Sequence, residues 1–352
     1  MVDPMTGSTE NRKREHIETV LTENIAAKGV TSGFERFSFE HVALPELDLE
    51  SIDLSSEMFG RRLAAPLLIS SMTGGAERAR EINFRLAAAA QKLGVAMAVG
   101  SQRAGLENPD LAKTYQVRAV APDILLFANM GAVQLNYGFG IDEARRAVDM
   151  IEADALFLHL NPLQEAVQPE GDRSWRGLYR KIEILARDLP VPLAIKEVGN
   201  GISAAVARRL ADCGVAAIDV AGAGGTSWSE VEAHRQPDPL TREIAHGFAG
   251  WGIPTAIALT EARQAVPDMP IFASGGMRNG IDAAKAIRLG AVLVGIAQPV
   301  LGDAAGPKNS VSARLESLVA ELKICAFCTG SQDLEALRRA ALRRSDDWSL
   351  VD

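Results

Sequence analysis

Seven residues in mid-chain, His159-Leu160-Asn161-Pro162-Leu163-Gln164-Glu165, gather an imidazole, two amides and one carboxylate around a single proline. Neutral hydrogen-bonding groups plus one acid suit a diphosphate held partly through Mg²⁺, which often takes only one or two protein carboxylates. Glu165 is then the candidate metal ligand; the alternative is an acid on an exposed loop. His159 either contacts a ligand or caps a core hydrogen-bond network, and its place at the end of an apolar run favours the ligand.

Two glycine-rich turns, Gly222-Ala223-Gly224-Gly225-Thr226-Ser227-Trp228 and Ser274-Gly275-Gly276-Met277-Arg278, have a second chemistry. Glycines let backbone N–H groups approach an anion beside a helix N-terminus, so these turns read as a phosphate grip. Glycine pairs also make tight turns without any ligand; two adjacent pairs with Thr226, Ser227 and Arg278 nearby favour the grip. Lys196 ends an apolar run, where an unpaired ammonium is costly. It needs an acceptor or anion, such as the N1 and O2 edge of a reduced flavin, or it serves as a Schiff-base lysine. The aldolase-like alternative leaves the polar residues Ser71 to Thr73 and Asn129 without a role.

These groups must be placed by elements, and eight short apolar runs supply them: 67–71, 95–99, 124–129, 155–160, 193–198, 216–221, 271–274 and 292–295. Each is nearly continuous in apolar character, as in strands covered on both faces. Between them lie helical patterns such as 79–93, 141–151, 204–213 and 280–289, with Gly94, Gly214 and Gly290 as stops. The alternation predicts an α/β fold, a closed (β/α)₈ TIM barrel with an N-terminal helical extension. Barrels carry their chemistry at the C-terminal ends of the strands, and the polar residues gather there.

At 352 residues the chain fits one large barrel domain with short extensions: a leader over 1–11, a domain over 12–330 and a helical tail over 331–352 that includes the basic run Arg338 to Arg344. The net charge of −8 opposes nonspecific binding to nucleic acid or an anionic membrane. No apolar run is long enough to span a bilayer and no signal-peptide core is apparent, so the expected location is the cytoplasm. Three cysteines imply no disulfide framework, and Cys325 and Cys328, though spaced C-x-x-C, are expected to be buried small hydrophobes of a C-terminal helix rather than a redox pair or half a zinc site.

Taken together, the motifs resemble the type 2 isopentenyl-diphosphate isomerases, FMN-dependent barrels that interconvert isopentenyl and dimethylallyl diphosphate. The resemblance runs through Arg12-Lys13-Arg14-Glu15-His16-Ile17, Ser71-Met72-Thr73-Gly74-Gly75, Gly100-Ser101-Gln102-Arg103-Ala104, His159 to Glu165, Lys196-Glu197-Val198-Gly199, Gly222 to Trp228 and Ala273-Ser274-Gly275-Gly276. It implies that Met72, Thr73, Gly74, Ser101, Asn129, Lys196, Thr226, Gly275, Gly276, Ala297 and Gln298 surround FMN. It implies further that Arg12, Lys13, Ser101, Arg103, His159, Asn161 and Gln164 hold the prenyl diphosphate, and that Glu165 meets its Mg²⁺. Gln164 and Lys196 are the implied catalytic residues, NADPH the implied reductant, and a homotetramer or homo-octamer the implied assembly. Asn200, Cys325 and Cys328 depart from the bulkier residues usual in that family. The basic first motif, distant in sequence, is free to serve its own barrel mouth or a neighbour's.

Two alternatives remain on these residues. One is an FMN-dependent oxidoreductase of the 2-hydroxy-acid oxidase or inosine-monophosphate dehydrogenase group. The latter needs a cysteine where this chain has Gly224 to Ser227; the former needs a strand-end His/Arg pair, whereas His234 and Arg235 read as part of a polar loop. The other is a noncatalytic flavin-binding barrel, which predicts a degraded substrate shell.

Overall fold

The computed structural model describes residues 4–306 and 310–351, with side chains from residue 11 onward. All eight apolar runs form parallel strands: β1 Leu67–Ile69, β2 Ala96–Ala98, β3 Leu126–Gly131, β4 Ala155–His159, β5 Leu193–Lys196, β6 Ala217–Asp219, β7 Ile271–Ala273 and β8 Leu293–Ile296. They pair in chain order, and Val294 to Ile296 of β8 return to Leu67 to Ile69 of β1, so the sheet closes into a barrel.

Side chains alternate across each strand, and this alone divides the core in two. Leu68, Ala98, Phe127, Phe157, Ala194, Ala217, Phe272 and Leu293 point inward and fill the barrel. Their neighbours, among them Leu67, Ile69, Met97, Leu126 and Ile195, face the surrounding helices. Phe127 stacks on Phe157 at 4.3 Å between ring centroids, and Phe272 meets both edge-on at 6.2 Å. The interior is therefore a packed aromatic plug. Below it, a hairpin of Ser56–Met58 and Arg61–Leu63 brings Leu63 and Phe59 against the plug.

Helices return the chain between strands. Glu77–Leu93 has Ala79, Ile82, Leu86 and Ala90 on its buried face, at helical spacing, and stops at Gly94, whose φ of 61° a side chain would oppose. The first helix spans Pro4–Thr22. It takes in most of the stretch expected as a leader, of which Met1 to Asp3 lie outside the described residues. A strap after this helix is stitched to the turn beyond β6: Ala27 N–H donates to Gly225 O and Ser227 N–H to Ile25 O, both at 2.8 Å. The N-terminal helix thus lies over the mouth of its own barrel.

The C-terminal segment departs from the helical expectation. Only Leu334–Leu337 is helical, and Leu342–Arg344 then forms a strand antiparallel to Phe37–Phe39. The basic run ends its helix because Leu342 gains full burial by strand pairing, while Arg288 Nε captures the carbonyl of Ala340 at 2.6 Å. Cys325 and Cys328 do lie on the C-terminal helix Val311–Cys328, but both are half-buried rather than buried, and all three cysteines are free.

Candidate active site

Two residues beyond the inward-facing layer, the same face of each strand carries Ser70, Gly100, Asn129, His159, Lys196, Asp219, Ser274 and Gly295. Period-2 geometry therefore lifts one ring of mostly polar positions directly above the plug. All but Asp219 line a cavity of about 390 Å³ at the C-terminal mouth of the barrel. Gly295 is side-chain-free for a reason of space: a Cβ there would lie 2.4 Å from Ser70 Oγ and 2.7 Å from Ser274 Cβ.

One wall of the cavity is built by Met72, Thr73, Ser101, Thr226, Gly275, Gly276, Ala297 and Gln298. The two glycine turns touch here. A Cβ on Gly225 would stand 2.5 Å from Gly276 N, and one on Gly276, whose φ is 72°, would stand 2.7 Å from Gly224 O. The helix Gln298–Ala305 opens onto the same wall from Ala297 with no side-chain cap; Pro299 has no N–H, and Val300 and Leu301 N–H both donate to Ala297 O at 3.1 Å. Thr73 Oγ1 and Ser70 Oγ are buried without partners. A glycine cradle, orphaned hydroxyls and the Lys196 amine together fit a flavin phosphate and its polar ring edge.

Gly74 does not belong to this wall. A Cβ on it would fall 1.9 Å from the Tyr115 ring. Its smallness serves Tyr115, fully buried, which packs beneath the loop and donates its hydroxyl to Ser101 O at 2.8 Å.

The same cavity is also lined by Arg12 and Lys13 from the N-terminal helix, Arg103, and His159, Asn161, Gln164 and Glu165. Pro162 starts a short helix, Pro162–Val167, which carries Gln164 and Glu165; Glu165 is buried rather than an exposed loop acid. Its Oε1 accepts from Asn161 Nδ2 at 2.9 Å, and its Oε2 from Gln168 Nε2 at 2.6 Å and Asp172 N at 2.7 Å. Asn161 Oδ1 is buried with no partner. No cluster of three or more metal-ligating side chains occurs among the described residues, so a cation here would rest on Glu165, an amide oxygen and ligand oxygens. Arg103 is drawn to Glu107 and Asp172, both at 2.7 Å.

His159 combines its two alternatives: it lines the cavity and is tied to a network. Asn129 Nδ2 donates to Ser71 Oγ, leaving Asn129 Oδ1 to accept from His159 Nδ1 at 2.8 Å. Burial, with Lys196 and Lys13 adding to it, pushes the imidazole down to about 3, so it is neutral. Burial also lowers Lys13, with help from Arg12 and Arg103, to about 8. Concentrated positive charge with little water is a prepared seat for an anion.

Several residues of the site escaped the sequence reading. Glu232, fully buried, accepts from Gln164 Nε2 at 2.8 Å, from His16 Nε2 at 2.9 Å and from Arg235 at 2.6 Å. Burial pushes its carboxyl up, but His16, Arg235 and Gln164 more than reverse this and bring it to about 2. Burial lowers His16, with Glu232 opposing the shift. Trp228 lines the cavity and meets His16 edge-on at 5.4 Å. A signal existed: on the helix Trp228–Arg235, Glu232 lies one turn after Trp228 on the same face. That helix also corrects the loop expected around His234 and Arg235; His234 turns toward His246, and Arg235 serves Glu232.

The profile of FMN-dependent dehydrogenases matches residues 7–117 and 154–344. Among solved structures, a protein described as a lactate oxidase of Pediococcus acidilactici superposes with a TM-score of 0.66 at 17% identity, covering 96% of this chain and 92% of that one. A mandelate oxidase with an FMN adduct superposes at 0.64 and 18% identity, covering 97% of this chain and all (100%) of that one. At that identity the likeness concerns the fold. Sequence relatives are far nearer: an isopentenyl-diphosphate delta-isomerase of Synechocystis sp. is 59% identical over 335 residues, 95% of this chain and 96% of the relative. Another, from Stutzerimonas stutzeri, is 60% identical over 336 residues, 95% and 97% of the two chains. With this identity along nearly its whole length, on an FMN-dehydrogenase barrel, the chain belongs to the isopentenyl-diphosphate delta-isomerase family.

Proposed function

We propose that this chain interconverts isopentenyl diphosphate and dimethylallyl diphosphate for isoprenoid biosynthesis, using reduced FMN, with NADPH as reductant and Mg²⁺ as the substrate's counter-ion. The observation that carries this reading is the meeting in one cavity of the glycine cradle with Arg12, Lys13, Arg103 and the segment His159 to Glu165.

The reaction moves a double bond by adding a proton at one allylic end and removing one from C2, with no net redox change. When bound, reduced FMN supplies the acid and base through its N5 region. Met72, Thr73, Ser101, Asn129 and Thr226 would hold it, with Gly275, Gly276, Ala297 and Gln298 around its phosphate. Lys196 donates to the Glu197 carbonyl at 2.5 Å and has further protons for an anionic ring edge. Arg12, Lys13, Arg103, His159 and Asn161 hold the diphosphate, and Glu165 with Asn161 Oδ1 takes Mg²⁺. Gln164, whose Nε2 donates to Glu232 at 2.8 Å and whose Oε1 accepts from Asn161 at 3.1 Å, would stand beside the reacting end of the substrate and assist proton relay.

We read residues 12–330 as one FMN-binding domain, the cytoplasm as its location, and a homotetramer or homo-octamer as its assembly. No helix among the described residues is long and apolar enough to cross a membrane. The decisive test is to purify the protein, look for a yellow chromophore, and assay isopentenyl diphosphate with FMN, NADPH and Mg²⁺. A colourless protein, inactive with added FMN under reducing conditions, sinks the reading. Gln164→Ala assayed with pre-reduced flavin is expected to lower turnover on the order of 10²-fold or more; unchanged turnover removes Gln164 from the relay.

A further inference from the structure

Asp219 is an acid with no solvent exposure, at the C-terminal end of β6. Across the sheet it is in register with Lys196 on β5, which is in register with His159 on β4. A carboxylate in such a place needs hydrogen bonds and a counter-charge, or it takes up a proton. Its hydrogen bonds are visible: Ser274 Oγ stands 2.9 Å from both Oδ1 and Oδ2, and Ala221 N–H donates to Oδ1 at 3.2 Å. One hydroxyl shared evenly between both oxygens suits an acceptor-only carboxylate.

The counter-charge follows by comparing the groups around Lys196. These are Asp219 and Glu197 as acids and His159 as an imidazole. Glu197 turns its carboxylate away: Oε2 accepts from the N–H groups of Val198 at 2.6 Å, Gly199 at 2.8 Å and Asn200 at 2.6 Å, and Lys196 Nζ donates to the Glu197 backbone carbonyl instead. Burial pushes both carboxyls up, Glu197 to about 7, while Lys196, Ser274 and the Ala221 N–H pull Asp219 back down, so the choice between them rests on geometry. His159 is neutral and offers no negative charge. We propose that Asp219, oriented by Ser274, is the positioning residue that supplies the counter-charge of Lys196 and keeps its ammonium cationic at the base of the cavity. The pairing rests on the sheet; its consequence for the reaction rests on the proposed place of Lys196 beside the flavin.

The test reads the amine directly. In the full-length chain without added FMN, pulsed acylation across pH followed by peptide mass spectrometry gives the titration midpoint of Lys196. In Asp219→Asn, which keeps an acceptor for Ser274, the midpoint is expected to fall by about one pH unit, roughly a tenfold gain in reactive amine at a fixed pH below it. Ser274→Ala, a milder change that loosens the carboxylate, is expected to shift it less and in the same direction. A midpoint unmoved in both variants, as a neutral carboxyl at position 219 would give, overturns the proposal; so does an upward shift. If one variant does not fold, the other decides. With FMN loaded, the midpoint potential of Asp219→Asn relative to the parent is expected to fall as pH passes the new amine midpoint. A shifted amine with no such step upholds the pairing and overturns the placement of Lys196 beside the flavin.

Discussion

Lys13 carries the clearest pH signature of any single residue here. Its ammonium, lowered to about 8 by burial and by Arg12 and Arg103, is charged below that pH and neutral above it. Affinity for an anionic substrate should therefore weaken as pH rises through about 8, seen as a falling kcat/KM. Lys13→Arg should remove that limb, since a guanidinium stays charged. Glu232 sets the acid side. Its folded value of about 2 lies below the ordinary 4.5, so its stabilising contribution is complete above 4.5 and is lost as pH falls toward 2. Denaturant titrations of Glu232→Gln should be flatter with pH in that window than those of the parent. Glu232→Ala, which leaves the buried Arg235 short of a partner, should cost about 3 kcal/mol. Sequence legibility at this scale stopped at the first layer. Lys13 and Gln164 were visible through their motifs, whereas Glu232 acts through other side chains and was not.

Elements decide which residues form the ring. The inward layer is apolar in all eight strands, and adding two to each position names the polar ring, so most of the site was legible once the strands were found. Spacing could not tell whose space a glycine keeps open. Gly74 looked like part of the cofactor wall because it adjoins Met72 and Thr73, but its room is taken by Tyr115, remote in sequence. Gly225 is the opposite case, where two turns from different strands abut. Gly225→Ala should push the turn beyond β7 away and weaken FMN binding on the order of tenfold or more, measurable by fluorescence on titration. Its far-UV circular dichroism should stay that of the parent. An affinity equal to the parent's would mean that the cradle is not the phosphate seat.

The whole molecule is held by contacts that no motif announces. Leu342, fully buried, joins the C-terminal strand to Phe37–Phe39, and Arg288 fixes the same segment through the carbonyls of Ala340 and Val351. A basic stretch of this composition reads as a solvated helix, and only the partner strand, some three hundred residues away, makes it extended. Leu342→Ala should cost about 2–5 kcal/mol, seen as a lower denaturation midpoint, while a substitution at the exposed Leu350 should cost much less. The aromatic plug has a different consequence. With Phe127, Phe157 and Phe272 sealing the barrel from beneath, the site is a cup with one rim, and the N-terminal helix stands over it. A ligand seated on the polar ring can leave only past whatever lies between it and that helix. Arrival and departure are therefore expected to be ordered, the deeper guest first in and last out, so that a saturating outer guest should slow the measured release of the inner one.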